Sequence, residues 1–324
     1  MLSRIAESLF WIGRYIERAE DTSRLLDVQT QLILEDANID ESQACRTILA
    51  VMGVEDIGAS VVGLPLVLET LAYDAQSTSS IVFSFEAARE SARGARETIS
   101  VPLWEALNTT YRAITSGQVK SMRATDLFAW ARDRSALING TADTTMMRDE
   151  GWNFMILGRC IERADMTSRL IATASMSSST TGPWTTTLRS TGAYDAFLRT
   201  YRGLETEQGA AEFLLLDRLF PRSVVYSLRR AEECLENLES GGRVGFQVEA
   251  HRMIGRARAE LEYRSLSDLL TDLPTEMERL QRTCAQATEA VTRRYFAGSE
   301  ATAWFGSADY RSADHELDVE AGDD

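Results

Sequence analysis

The stretch Leu2–Val28, LSRIAESLFWIGRYIERAEDTSRLLDV, decides how the rest of the chain is read. From its start, Ile5, Leu9, Ile12, Ile16, Ala19, Ser23, Leu26, Thr30 and Ile33 follow one another at spacings of four and three. Seven of the nine are apolar or alanine, which is the seam of a helix packed into a bundle. Such a helix is about 45 Å long. Inside it lies Gly13-Arg14-Tyr15-Ile16-Glu17-Arg18-Ala19-Glu20-Asp21-Thr22-Ser23-Arg24-Leu25. The same pattern returns 145 residues later as Gly158-Arg159-Cys160-Ile161-Glu162-Arg163-Ala164-Asp165-Met166-Thr167-Ser168-Arg169-Leu170. A second match, Ser80-Ile81-Val82-Phe83-Ser84 against Ser223-Val224-Val225-Tyr226-Ser227, has an offset of 143. Ala88 and Ala231 follow each block at the same distance.

Two matches at nearly one offset mark a tandem duplication. The expected fold is all-α, a multi-helix bundle formed by two tandem pseudo-symmetric helical repeats. The first repeat spans residues 1–145 and the second 146–308, packed together as one unit. From Asp309 onward the chain is acidic and poor in apolar groups, and 309–324 reads as a disordered tail. Helices are expected over 78–99, from Pro102 with Ser100 as cap, over 122–140 and over 149–176. Pro221 and Pro274 read as first residues of helices, and Ser177–Pro183 as a linker. No stretch shows the period-two alternation of a strand.

Composition narrows the function. A net charge of −15 over 324 residues disfavours nucleic acid and anionic membrane surfaces as partners. Lys120 is the only lysine, and the other 33 basic residues are arginines. A Schiff-base lysine is therefore nearly excluded, whereas forked recognition of carboxylate or phosphate is plentiful. Cys45, Cys160, Cys234 and Cys284 are far apart and form neither a zinc motif nor a disulfide framework. No apolar run is long enough to span a membrane, and no signal peptide is evident, so a reduced, cytoplasmic protein is expected.

The Glu-Arg cluster has two readings. Arg14, Glu17, Arg18 and Asp21 share one helix face, as do Arg159, Glu162 and Arg163. Glu20 with Arg24, and Asp165 with Arg169, make i,i+4 pairs in the favourable order. One reading is a network of internal ion pairs that fixes helix register. The other is a set of ligand-binding arginines, Arg14, Arg18, Arg24, Arg159, Arg163 and Arg169, that fork an anionic group. In that reading Glu17 and Glu162 orient the arginines or act as general bases. Ser80 and Ser223 lie near helix N-termini, where free N–H groups suit an anion. Arg222, beside Ser223, opposes the helix dipole, and a bound carboxylate or phosphate would remove the conflict. Glycine at 13 and 158 suggests close approach of another backbone or of a ligand.

Other chemistry has little support. His251 and His315 are the only histidines, so a hydrolase triad would depend on His251. There is no Glu-x-x-His pair, no Walker lysine motif and no G-x-G-x-x-G. No cofactor and no metal site is expected. Trp104, in Trp104-Glu105-Ala106-Leu107-Asn108, is the aromatic residue best suited to stack on a ligand.

Several spaced elements together resemble the bacterial Alpha-E family of helical domains with a Glu-Arg motif. They are LSRIAESLFWIGRYIERAEDTSRLLDV, SSIVFSFEAARESARGARETIS, WEALN, GRCIERADMTSRL and FPRSVVYSL. One stretch departs from the pattern: Asp74-Ala75-Gln76-Ser77-Thr78 stands where that family usually carries Asn-Pro. The resemblance implies a partner, a circularly permuted ATP-grasp ligase, and a role in forming peptide or amide bonds. ATP or magnesium would enter only through that ligase, and a peptide would be the substrate. The resemblance leaves three roles open: an accessory protein that holds a carboxylate, an enzyme with Glu17 or Glu162 as base, or a helical scaffold.

Overall fold

A computed structural model describes residues 1–54, 61–177, 182–202, 206–239 and 248–296. The expected acidic tail, the last residues of the expected second repeat and the middle of the Ser177–Pro183 linker lie outside the described residues. Among the described residues there are fourteen α-helices and no strand. In the first half they are α1 (Ser3–Glu35), α2 (Glu41–Val51), α3 (Leu64–Leu68), α4 (Ile81–Gly94), α5 (Val101–Thr115) and α6 (Ala124–Thr145). The second half has α7 (Glu150–Met176), α8 (Pro183–Ser190), α9 (Tyr194–Thr200), α10 (Glu207–Leu216), α11 (Val224–Leu238), α12 (Glu249–Tyr263), α13 (Leu266–Thr271) and α14 (Leu273–Tyr295).

The sequence punctuation explains most boundaries. Asp40, Ser80, Ser100, Asp149, Thr206, Ser223 and Ser265 each accept a hydrogen bond from a first-turn backbone N–H of the helix they open. Two expectations shift. The helix expected over 78–99 ends at Gly94, and the chain turns through 95–98 before Ser100 caps α5. Pro221 is not a first helical residue, because the chain makes one more turn before Ser223 caps α11. Pro274 does lie in the first turn of α14.

The two longest helices, α1 and α7, form the centre. α1 packs on α4, α6 and α7, and α7 packs on α1, α11 and α14. α5 closes one side across α4 and α6, and α12 closes the other across α11 and α14. α2 and α8 each touch both central helices. A helix with neighbours on so many sides cannot keep a solvated face. Leu9 to Arg14 and Ile16 to Ser23 are therefore buried without a break in α1, as are Gly151 to Gly158 in α7. The buried stretch of α1 includes Arg14, Glu17, Arg18, Glu20 and Asp21, and buried polar groups need partners.

The helices meet at the two glycines. A Cβ at Gly13 would overlap the Met155 carbonyl oxygen, and one at Gly158 would overlap the Phe10 carbonyl oxygen. The expected close approach is thus to backbone, from each helix to the other.

Candidate functional site: a buried arginine–carboxylate clasp

The α1–α7 contact brings the two Glu-Arg motifs face to face, and each serves the other. Glu162 of α7 accepts from Arg14 Nε at 2.6 Å and from Arg18 Nε at 2.7 Å. Glu17 of α1 accepts from Arg163 through both oxygens, at 2.6 Å from Nε and 2.7 Å from Nη2. Such charge-assisted, forked bonds are the strong ones. Arg14 and Glu17 are 0% exposed and Glu162 is 2% exposed, while Arg163 keeps a partly exposed side chain.

The remaining guanidinium protons are aimed at backbone. Arg18 Nη1 donates to the Thr78 carbonyl at 3.2 Å, and Arg163 Nη1 donates to the Pro221 carbonyl at 3.3 Å. Thr22 donates to the Ser79 carbonyl, and Thr167 to the Arg222 carbonyl. Ser80 caps α4 and donates to the Asp74 carbonyl; Ser223 caps α11 and donates to the Asp217 carbonyl. The two repeated sequence elements therefore touch. Each motif on a central helix holds the turn that carries a capping serine, that of α4 for α1 and that of α11 for α7.

The halves differ at three places. Arg14 bonds Glu162 and also donates to Thr288 Oγ1 of α14 at 2.8 Å, with its guanidinium 5.4 Å from the Trp11 ring. Its counterpart Arg159 is half-buried and donates to Asn139 of α6 at 3.3 Å instead. The vacant place on Glu17 is taken by Arg222, at 2.9 Å. Arg222 also pairs with Glu20 at 2.7 Å and with Asp21. These carboxylates remove the conflict with the α11 dipole that the sequence suggested an external anion would remove. Where α1 has Asp21 facing Arg222, the other half has Met166 and Ser79.

Arg24 pairs with Glu20 at 2.8 Å and Arg169 with Asp165 at 2.8 Å, as their spacing requires. Of the residues singled out in the sequence, Arg14 and Arg18 gather on Glu162 in one set of pairs, and Arg163 and Arg222 gather on Glu17 in a second. Arg24 reaches the second set through Glu20, and Arg159 stands at its edge. Thr288, Asn139 and the Thr78 and Pro221 carbonyls escaped the sequence reading. Thr22 and Thr167 were visible as matched positions in the repeat, whereas nothing in the sequence marks Thr288.

The electrostatics follow. Burial raises the Glu17 carboxyl, but Arg163 and then Arg222 outweigh it and hold it at about 2. Glu162 also lies below the usual range, because Arg18 and Arg14 outweigh its burial. Asp21 goes the other way. Burial pushes it up to about 8, since it shares Arg222 with Glu17 and Glu20. Glu17 and Glu162 are thus ionised, with both oxygens committed to guanidiniums, an arrangement that leaves neither free to take a proton from a substrate. Among the described residues, no group of three or more His, Cys, Asp or Glu is placed to hold a metal ion.

These features define an all-helical protein whose two longest helices are joined by crossed arginine–glutamate pairs. The chain belongs to the Alpha-E family, described as a predicted alpha-helical domain with a conserved ER motif, which it matches over residues 1–296. It is similar to an uncharacterized protein of Mycobacterium bovis and to one of Mycobacterium tuberculosis strain CDC 1551, each 28% identical over 273 residues. The matched region covers 72% of this chain and 30% of each relative, so the chain spans under a third of their length. No solved structure matches it significantly. Among the described residues, no helix is long and apolar enough to cross a membrane.

Proposed function

We propose that this chain is a non-catalytic helical module that accompanies an ATP-grasp-type amide ligase, and that its paired Glu-Arg motifs are the clasp joining two tandem repeats. The observation that carries the clasp is the crossed pairing: Arg14 and Arg18 on Glu162, Arg163 on Glu17, all at 2.6–2.7 Å with both carboxylates buried. The carboxylates that these arginines hold are the chain's own. That argues against an external carboxylate there, and the committed state of Glu17 and Glu162 argues against a general-base role.

The repeat reading, residues 1–145 and 146–308, is supported by the order of packing. α1, α4, α5 and α6 contact one another in the same sequence as α7, α11, α12 and α14. The link to a ligase rests on what the sequence resemblance implies. The much greater length of the mycobacterial relatives fits a module that works beside other domains.

The direct test is affinity capture of the tagged full chain from its native host. An ATP-grasp protein recovered in stoichiometric amount is the expected result. Recovery of chaperones alone would remove the partnership and leave the clasp standing.

A further inference from the structure

The α4–α5 face carries a groove of about 460 Å³ that the clasp does not use. Arg96, Trp104, Glu105, Asn108, Thr109 and Arg112 line it. Trp104, Asn108 and Arg112 recur at i,i+4 and so form one stripe along α5. That stripe is about 12 Å long at ~1.5 Å per residue. Arg96 closes the opposite side, with its guanidinium 5.2 Å from the Trp104 ring centroid. Arg89 of α4 lies 5.4 Å from the same ring and 4.7 Å from Tyr111, and its Nε is buried without a hydrogen bond.

The matching place in the second half is built with opposite sign. Counting from the paired caps Ser80 and Ser223, Glu232 and Glu239 stand where Arg89 and Arg96 stand. There His251, not a tryptophan, sits between them, 3.1 Å from Glu239 and 4.0 Å from Glu232. Arg258 bonds Glu232 at 2.5 Å and pairs with Glu262, which Arg218 meets at 2.9 Å. That second groove, of about 400 Å³, pairs its arginines with its own carboxylates. Among the described residues, Arg96 and Arg112 of the α4–α5 groove form no ion pair, and Glu105, beside them, pairs with neither. Two guanidiniums without a carboxylate partner among the described residues make a local place for an anion, set against a chain of net charge −15.

We infer that the α4–α5 groove binds an acidic peptide segment of three or four extended residues, with Arg96 and Arg112 taking its carboxylates. A 12 Å stripe matches that length at roughly 3.3–3.6 Å per residue. Asn108, both donor and acceptor, matches a peptide group, and Trp104 supplies an apolar floor. A nucleotide fits less well. The indole face already carries the guanidiniums of Arg89 and Arg96, which leaves little room for a base to stack. The site is independent of the clasp, so its failure would leave the proposed function untouched.

Fluorescence anisotropy of a labelled tetraglutamate peptide, titrated with the full chain, tests this. Saturable binding is expected, with a tetraglutamine peptide failing to bind. Arg112→Glu, and separately Arg96→Ala, should weaken binding at least tenfold with the melting temperature unchanged. Arg258→Ala, on the second groove, should leave the affinity as it was. Absence of binding, or binding that survives both groove substitutions, overturns the inference. So does displacement of the peptide by inorganic phosphate or ATP at lower concentration than free tetraglutamate, which would make the groove a phosphate site.

Discussion

The α1–α7 clasp and the α4–α5 groove both use arginine beside aromatic rings, yet to opposite ends. In the clasp, Arg14 is fully buried against Trp11 and its charge is met by Glu162. In the groove, Arg96 is half-buried against Trp104 and no carboxylate among the described residues pairs with it. Burial forces an internal counter-ion, because an unpaired charge in a dry interior costs several kcal/mol. Exposure removes that obligation and leaves the fork available. Residue type and aromatic neighbour are the same in both places; depth decides the role.

The sharpest way to break that contrast is to remove the counter-ion. Glu162→Ala leaves Arg14 and Arg18 buried without a carboxylate and should destabilise the protein by ~3–5 kcal/mol. A urea unfolding curve gives the number, and a loss under ~1 kcal/mol would mean that solvent reaches the clasp. Gly13→Ala should come next, at about 3 kcal/mol, because the new methyl meets the Met155 carbonyl rather than a movable side chain. The same measurement on Gly158→Ala should agree with it, since Phe10 stands in the matching place.

The unequal halves offer a finer test. Arg222→Ser should cost about 1–2 kcal/mol, since Glu17 keeps Arg163 and Glu20 keeps Arg24 while buried Asp21 loses its arginine. Adding Asp21→Met rebuilds the Ser79–Met166 combination of the other half and should recover part of that loss. A double-mutant cycle with no coupling would show that the two positions do not act as a pair.

Smaller still is a pH effect. Asp21 keeps its proton in the folded chain up to about 8, against an ordinary value of 3.8. Its contribution to stability is therefore full below pH 3.8 and is lost as pH rises through about 8. Glu17 runs oppositely. Held at about 2 against 4.5, it contributes fully above 4.5 and loses that contribution as pH falls toward 2. Asp21→Asn should become more stable relative to wild type as pH is raised from 4 to 8. A gap that stays constant would show that Asp21 is already ionised. At the bottom of the scale, Arg112→Ala should shift stability by no more than ~0.5 kcal/mol, as an exposed, unpaired arginine allows.

Much of the fold was legible because its signals are local. The seam from Ile5 to Ile33 marked α1, and Ser80, Ser100 and Ser223 marked the starts of α4, α5 and α11. Boundaries that depend on packing were not legible: α4 stops at Gly94 although the helical composition runs on, and Pro221 sits one turn early. The site was legible as residues and not as connections. Both the ion-pair network and the open anion fork were compatible with Arg14, Glu17, Arg18, Arg159, Glu162 and Arg163. Periodicity places side chains on a face without saying what lies opposite. The groove was marked only by Trp104, and the missing counter-ions of Arg96 and Arg112 are a fact of three-dimensional neighbourhood.

By itself the amino-acid sequence determined the helical class, the doubled motif and the two glycines that permit a close crossing, because helical periodicity and backbone sterics act over a few residues. Only the tertiary structure decided that Glu162 serves Arg14 and Arg18, that Glu17 serves Arg163 and Arg222, and that Arg96 and Arg112 have no carboxylate partner among the described residues. Charge pairing across 144 to 205 residues is set by which surfaces the folded chain buries, and no local rule carries that information.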